Sequence, residues 1–222
     1  MESLFDDSAL PREPVQLRSG AWHYPHWLSE EAQAWIARRF FEWGRGPVPP
    51  HQTLINQNPM SVQSLCLGWH WNPSGYSRTA DDINGAPVAP MEQWLVDLGR
   101  RAVFDATGDA QKAAGYTPDA AIVNYYDIDA VMGMHQDADE KINAPVVSLS
   151  IGDSANFRLG NNVNRNQPWQ DVRLASGDLF VFDGASRFAY HAVTKVFPGT
   201  APARCPLAAG RINITLRQTG LS

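Results

Sequence analysis

The first information in this sequence lies in what it lacks. Its 222 residues contain two cysteines, Cys66 and Cys205. Two are too few for a disulfide framework, and they stand in no metal-binding spacing, so they read as reduced thiols. No apolar run is long enough to span a membrane. The opening Met-Glu-Ser-Leu-Phe-Asp-Asp is acidic and has neither the basic nor the apolar region of a signal peptide. The expectation is a cytoplasmic protein with no membrane partner. A net positive charge is also missing: the formal net charge is −5, which argues against tight, non-specific binding to a phosphate backbone. Repeats and low-complexity segments are absent. What is left, 44% hydrophobic and 18% charged residues, suits one globular domain with a sizeable core.

The charge is unevenly spread. Residues 1–150 carry a net −9, whereas residues 151–222, with 8 basic and 4 acidic groups, carry +4. Seven of those basic groups are arginines, from Arg158 to Arg217. Ordinary surface charge and a local anion-binding region both fit this distribution.

Residues 1–28 are rich in proline and aromatics (Pro11, Pro14, Pro25, Trp22, Trp27) and read as an irregular arm packed on the body. Ser29 has the character of an N-cap, with Glu30 and Glu31 in the first turn. Ala32, Trp35, Ile36, Phe40 and Trp43 then recur at helical spacing up to Gly44, which puts Trp35 and Trp43 in the core. Residues 45–58 read as loop. From Ser61 to Tyr76 the chain is aromatic and polar, with turn residues at 72–75. It reads as an exposed hairpin or lid suited to stacking on a flat ligand, with core packing of Trp69 and Trp71 the alternative. A second amphipathic helix is expected from Pro90 to about Gly108. Beyond Pro118 the period changes to 2, and strands are expected at 120–126, 131–136, 145–151, 155–159, 172–175, 178–182, 190–194 and 210–217. Two helices followed by eight short strands predict an α+β fold: a jelly-roll (double-stranded β-helix) core with flanking N-terminal helices. The arm and first helix (1–58) and the jelly-roll domain (59–222, with a lid at about 60–80) form a single structural unit on this reading.

The chemistry centres on His135-Gln136-Asp137. In an extended segment, side chains at i and i+2 point the same way, so an imidazole and a carboxylate can reach one metal ion. A distant second histidine, with His191 the candidate, would give the two-histidine, one-carboxylate face of non-haem Fe(II) oxygenases. The last strand carries a second signal. Ile212, Ile214 and Leu216 share one face; Arg211, Asn213, Thr215 and Arg217 share the other. An edge strand with a solvated face would look the same. A jelly roll with a polar interior would instead aim these residues, with Asn124 and Tyr126, at the metal. Arg217 could then hold a carboxylate bidentately, which fits a dicarboxylate co-substrate chelating the metal at its other end.

From about Met60 to Gly220 the sequence resembles the AlkB family of Fe(II)/2-oxoglutarate-dependent dioxygenases. The resemblance rests on Leu67-Gly68-Trp69, Gly75-Tyr76, Asn124-x-Tyr126, His135-Gln136-Asp137-x-Asp139-Glu140, the run Ala144–Gly152, Gly177-Asp178, Ser186-Arg187 and Arg211-x-Asn213-x-Thr215-x-Arg217-Gln218. The segment 127–134 lacks the Pro-Gly turn of the family. The resemblance implies His135, Asp137 and His191 as iron ligands. It implies Asn124, Tyr126, Arg211, Asn213 and Arg217 as 2-oxoglutarate residues, with Arg217 on the distal carboxylate. Trp69 would stack on a flipped base and Tyr76 would meet the nucleic-acid backbone. Asp139 would face the base, Arg165 would lie near it, and Phe182 would be the aromatic residue beside the iron. The implied reaction consumes O2 and hydroxylates the N-linked methyl group of bases such as 1-methyladenine and 3-methylcytosine, releasing formaldehyde and succinate. The implied partner is single-stranded or locally opened DNA, with RNA left open, and a monomer suffices. Two alternatives remain: an oxygenase of the same chemistry acting on a protein or small molecule, and a non-enzymatic jelly-roll metal binder.

Overall fold

The computed structural model describes residues 13–221. Part of the predicted arm, residues 1–12 with Pro11, lies outside the described residues. The chain begins with β1 (Val15–Arg18) and β2 (Ala21–Tyr24), followed by α1 (Glu30–Trp43). Next come β3 (Leu54–Ile55), β4 (Asn58–Pro59), β5 (Gln63–Leu67), β6 (His70–Asn72) and β7 (Gly75–Ser77). Two helices follow, α2 (Gln93–Thr107) and α3 (Ala110–Gly115). The rest is strand: β8 (Ala120–Tyr126), β9 (Met132–His135), β10 (Val146–Gly152), β11 (Ser154–Leu159), β12 (Gln170–Leu174), β13 (Leu179–Phe182), β14 (His191–Phe197) and β15 (Arg211–Arg217).

These strands form a seven-stranded sheet in the order β1-β2-β13-β10-β15-β8-β5 and a four-stranded sheet in the order β12-β11-β14-β9. All pairs are antiparallel. The architecture is the predicted jelly roll. Each of the eight predicted strands is present, 120–126 at its predicted bounds and the others with ends moved by up to three residues. Helix α1 starts where capping chemistry demands: the Ser29 side chain accepts from the Ala32 backbone N–H, and Glu30 and Glu31 occupy the first turn. It ends as Gly44 donates to the Phe40 carbonyl. Gly108, at φ 68°, closes α2 in the left-handed conformation that glycine adopts without steric cost.

Strand β15 sits in the middle of the large sheet, between β10 and β8, and is buried throughout. That rules out the edge-strand reading. Its apolar residues Ile212, Ile214 and Leu216 join Ile36, Ala37, Phe40, Leu95 and Val103 in the main core. Its polar residues therefore face the interior between the sheets. The register fixes their neighbours: Asn213 lies beside Asn124 of β8 and Ser150 of β10, and Arg211 lies beside Tyr126.

Three expectations are corrected. The arm is partly regular, since β1 and β2 form a hairpin that extends the large sheet through β13. The stretch 61–76 is half core, because Gln63–Leu67 pairs with β8 and buries Leu65, Cys66 and Leu67; only the β6–β7 hairpin is lid-like. Trp35 is 43% exposed and packs edge-on against Trp94, while Trp43 is buried. Helical spacing places both on the inner half of α1, but Trp35 falls at the rim of that face.

Candidate active site

His135 ends β9 and His191 begins β14, and these two residues are directly paired across the small sheet. Strand pairing thus closes a 56-residue gap in sequence and brings the two rings to 4.3 Å between centroids. Asp137, just beyond β9, completes the cluster. One ligand atom from each of the three residues lies within 4.8 Å of the others. The Nε2 atoms of His135 and His191 are each 3.8 Å from a different Asp137 oxygen.

The ring orientations are set by backbone. His135 Nδ1 lies 2.8 Å from the Gly133 carbonyl, and His191 Nδ1 lies 2.9 Å from the Ala189 carbonyl. A carbonyl can only accept, so each Nδ1 carries the proton and each Nε2 is left with its lone pair. Burial, with His135 adding repulsion, pushes the His191 imidazole down to about 4, so it is neutral near pH 7. Burial alone would raise the Asp137 carboxyl, but Arg217 above all, then His191 and His135, hold it below the usual carboxylate range. Two imidazoles and one carboxylate are the donor set that suits Fe(II).

The triad opens on a cavity of about 420 Å³, lined also by Asn124, Tyr126, Asp139, Phe182, Arg211 and Arg217. The Phe182 ring centroid is 4.9 Å from that of His191. Asn124 accepts from the Ser64 hydroxyl at 2.6 Å, which occupies its oxygen and leaves its Nδ2 protons for a ligand. Asn213 is more committed: its Nδ2 donates to Ser148 Oγ and the Leu149 carbonyl, and its oxygen accepts from Thr215.

The two arginines of β15 differ sharply. Arg217 donates to Asp137 at 2.6 Å and also meets Glu140 and the Tyr76 hydroxyl. Arg211 is 1% exposed, donates from one nitrogen to Ser150 Oγ, and lies with its guanidinium 5.3 Å from the Tyr126 ring centroid. Its Nε and second terminal nitrogen make no well-formed hydrogen bond among the described residues, and the Tyr126 side chain and Asp178 are its electrostatic neighbours. A buried cation with idle donors is costly unless an anion completes it. Arg217 is bonded to two carboxylates, whereas Arg211 is bonded to none among the described residues, so Arg211 is the better-placed cation for a ligand's carboxylate. Together the triad and Arg211 fit Fe(II) and a dicarboxylate such as 2-oxoglutarate.

The expected substrate residues lie in different places. Trp69 is 7% exposed, donates to Asp119, and has the Arg78 guanidinium 3.5 Å from its ring centroid; it does not line the cavity. Trp71 does. Tyr76 donates its hydroxyl to Glu140 at 2.6 Å and accepts from Arg217, so its polar end is used inside the protein. Asp139 lines the cavity and accepts from the Trp71 indole at 2.7 Å. Arg165 is exposed in the loop between β11 and β12 and does not line the cavity, although its carbonyl accepts from Trp169.

Sequence reasoning placed Trp71 in the lid without a site role of its own, and it missed the buried clamp of Arg187. Arg187 donates to the carbonyls of Ala144 and Asp137 and to Glu140. The alternation Trp69-His70-Trp71 was a visible signal for the first; nothing local marks Arg187 as buried.

The sequence profile of the 2OG-Fe(II) oxygenase superfamily matches residues 20–217. A DNA N(6)-methyladenine demethylase of Arabidopsis thaliana, ALKBH1D, is 33% identical over 90% of this chain and 50% of its own length. The chain thus spans half of that relative. An alpha-ketoglutarate-dependent dioxygenase AlkB homolog of Caulobacter vibrioides is 40% identical over 78% of this chain and 76% of its own. The solved structure of OsALKBH1 superposes with a TM-score of 0.82 at 29% identity, covering 93% of this chain and all of that one.

Proposed function

The chain belongs to the AlkB family of Fe(II)/2-oxoglutarate-dependent dioxygenases, and from that premise we propose that it is an oxidative demethylase of N-alkylated bases in nucleic acid. The observation that carries the reading is one cavity holding both the His135–Asp137–His191 cluster and the incompletely partnered Arg211, beneath an aromatic hairpin. His135, Asp137 and His191 would hold iron. Arg211, with Asn124 and Tyr126 beside it, would hold the co-substrate's distal carboxylate. When bound, iron, 2-oxoglutarate and O2 supply hydroxylation of the N-linked methyl carbon, with 2-oxoglutarate leaving as succinate and CO2 and the hydroxymethyl group as formaldehyde.

The chain's own part is positioning. The Nδ1 bonds aim both Nε2 lone pairs, and Arg217 holds one Asp137 oxygen while the other is left for the metal. Phe182, Val146 and Phe157 give the inner cavity an apolar wall. A flat base can enter only after leaving its stack, which favours single-stranded or locally opened DNA, with RNA a second arm of the test. Cationic lesions such as 1-methyladenine and 3-methylcytosine suit the carboxylate of Asp139 at the cavity wall. A monomer is sufficient, since every group named is on one chain.

The test is formaldehyde release from single- and double-stranded methylated DNA and RNA oligonucleotides, with Fe(II), 2-oxoglutarate and air. Release dependent on both the methyl group and 2-oxoglutarate supports the reading. Consumption of 2-oxoglutarate with a protein or small-molecule substrate, and none with any oligonucleotide, would replace it with the hydroxylase alternative.

A further inference from the structure

The excess of positive charge beyond residue 150 is gathered on one surface outside the cavity. Strands β11, β12 and β14 belong to the small sheet. Side chains alternate along a strand. Phe157, Val172 and Val193 pack into the interior, so Asn156, Arg158, Asp171, Arg173 and Lys195 face outward. Register sets these in rows: Arg173, Asn156 and Lys195 lie side by side, and Asp171 lies beside Arg158. Over residues 154–174 and 191–197 there are four basic groups, Arg158, Arg165, Arg173 and Lys195, and one acidic group, Asp171. In a chain of net charge −5 this is a local reversal of sign.

Aromatic rings hold the cations in place. The Arg158 guanidinium carbon is 4.5 Å from the Trp169 ring centroid, and the Arg173 and Lys195 head groups are 3.5 and 5.1 Å from that of Phe197. A ring contact engages the face of a guanidinium and not its N–H edge. Arg158 is also tied to Asp171 by two bonds of 2.7 and 2.8 Å. The surface is continuous with the cavity. A Cβ on Gly160 would stand 2.7 Å from Met134 Cε and 3.5 Å from Trp169 Cδ1, and Met134 lines the cavity. Gln136, between two of the metal ligands, donates to the Asn162 and Phe188 carbonyls. It thereby fastens the β11–β12 loop, which carries Arg165, to the cavity rim.

Resting on the reading of the substrate as an alkylated base in nucleic acid, we infer that the outer face of the small sheet is the track for single-stranded DNA flanking the lesion. Arg165, Arg173 and Lys195 meet its phosphates. Asp171 limits the track, because it holds Arg158 away from them. From Trp169 to Arg173 the strand runs about 13 Å, so only a strand longer than the lesion and its immediate neighbours reaches the far row.

The experiment measures anisotropy of a methylated single-stranded DNA of about twenty nucleotides, and of a methylated trinucleotide, on the Fe(II)/2-oxoglutarate enzyme without O2. Each phosphate-bound cation contributes about 0.7 to the salt slope of log affinity on a single strand. The double variant Arg173→Gln, Lys195→Gln should lower the long strand's slope by about 1.4, and so lose about sevenfold less affinity than wild type between about 50 and 200 mM salt. Asp171→Asn releases Arg158 and should bind the long strand more tightly, with a slope about 0.7 steeper, which no loss of folding can produce. Arg38→Gln is the charge-matched control: Arg38 is exposed on α1, which packs on the opposite face of the large sheet, and the slope should not move. Trinucleotide binding should be the same in all four proteins. If the wild type binds and demethylates the lesion, yet the double variant and Arg38→Gln share the wild-type slope, the track is not on this face and the nucleobase reading stands. If only an RNA of the same sequence shows the slope changes, DNA is not the occupant. If the wild type neither prefers the methylated strand nor releases formaldehyde from it, the nucleobase reading fails, and this proposal with it.

Discussion

Arg211 offers the sharpest test of how the co-substrate site is built. It is fully buried, with one bond to Ser150 and two idle donor atoms. Burial lowers its pKa from the ordinary arginine value, the mark of a charge held in poor surroundings. Replacing it with methionine keeps a long apolar stem and removes the unpaired charge. The ligand-free protein should then be no less stable than the wild type, because the lost Ser150 bond and ring contact are offset by relief of desolvation. Binding should suffer badly. Each charged hydrogen bond to a carboxylate is worth about 1.5–3 kcal/mol, so losing a two-bond fork should weaken 2-oxoglutarate binding at least about a hundredfold. The two effects meet in one anaerobic thermal-shift assay with Mn(II) in place of iron. At a ligand concentration about 100 times Kd, wild type gains about 2.7 kcal/mol, or roughly 5–10 °C for a chain of this size. Arg211→Met should show almost none of that gain. Arg211→Lys should recover part of it, since an ammonium supplies charge without the planar fork. A lower ligand-free melting temperature with an undiminished ligand shift in Arg211→Met would refute the reasoning and return the carboxylate to Arg217.

The remaining predictions follow from the same contacts. His135→Ala, Asp137→Ala and His191→Ala should each abolish turnover and stoichiometric Fe(II) binding; near-wild-type activity at low iron would remove that residue from the ligand set. Arg217→Met should behave opposite to Arg211→Met, because it leaves Asp137 a buried charge without its bonded cation and removes one of the two arginines on Glu140. A loss of about 3–5 kcal/mol in ligand-free stability is expected by chemical denaturation, and a neutral outcome would show that those carboxylates find other partners. Glu140 has a depressed pKa: burial opposes this, but Arg217 first, then Tyr76 and Arg187, prevail. A depressed carboxylate contributes stability that is present above its unfolded value of about 4.3 and is lost as pH falls through the folded value. Glu140→Gln should therefore be less stable at pH 7 and show a flatter acid limb below about pH 4; parallel curves would mean that Glu140 is not ionised in the fold.

What could be read in advance follows from periodicity. Alternation alone separates Ile212, Ile214 and Leu216 from Arg211, Asn213, Thr215 and Arg217, and it fixes which set meets the metal once the strand is central. The i, i+2 spacing of His135 and Asp137 is equally local. What periodicity leaves open is which polar residue on the inner face is already satisfied. Arg211 and Arg217 have the same parity and the same chemistry, yet Arg217 is bonded to Asp137 and Glu140 and Arg211 is bonded to no carboxylate among the described residues. That difference is made by residues more than 70 positions away in sequence. The tryptophans show the complementary failure. Trp69 and Trp71 also share parity, and an unbroken strand would aim them alike. A positive-φ glycine, Gly68, follows β5 with the Asp119 carbonyl where a Cβ would stand, and Trp69 falls in the bend before β6, whereas Trp71 lies inside that strand. A motif carries residue identity to a position; it does not carry the backbone rotation that precedes it. Lid residues attached through such bends are therefore the part of this site where sequence resemblance assigns roles least securely, while residues inside paired strands, such as the two iron-ligand histidines, are assigned most securely.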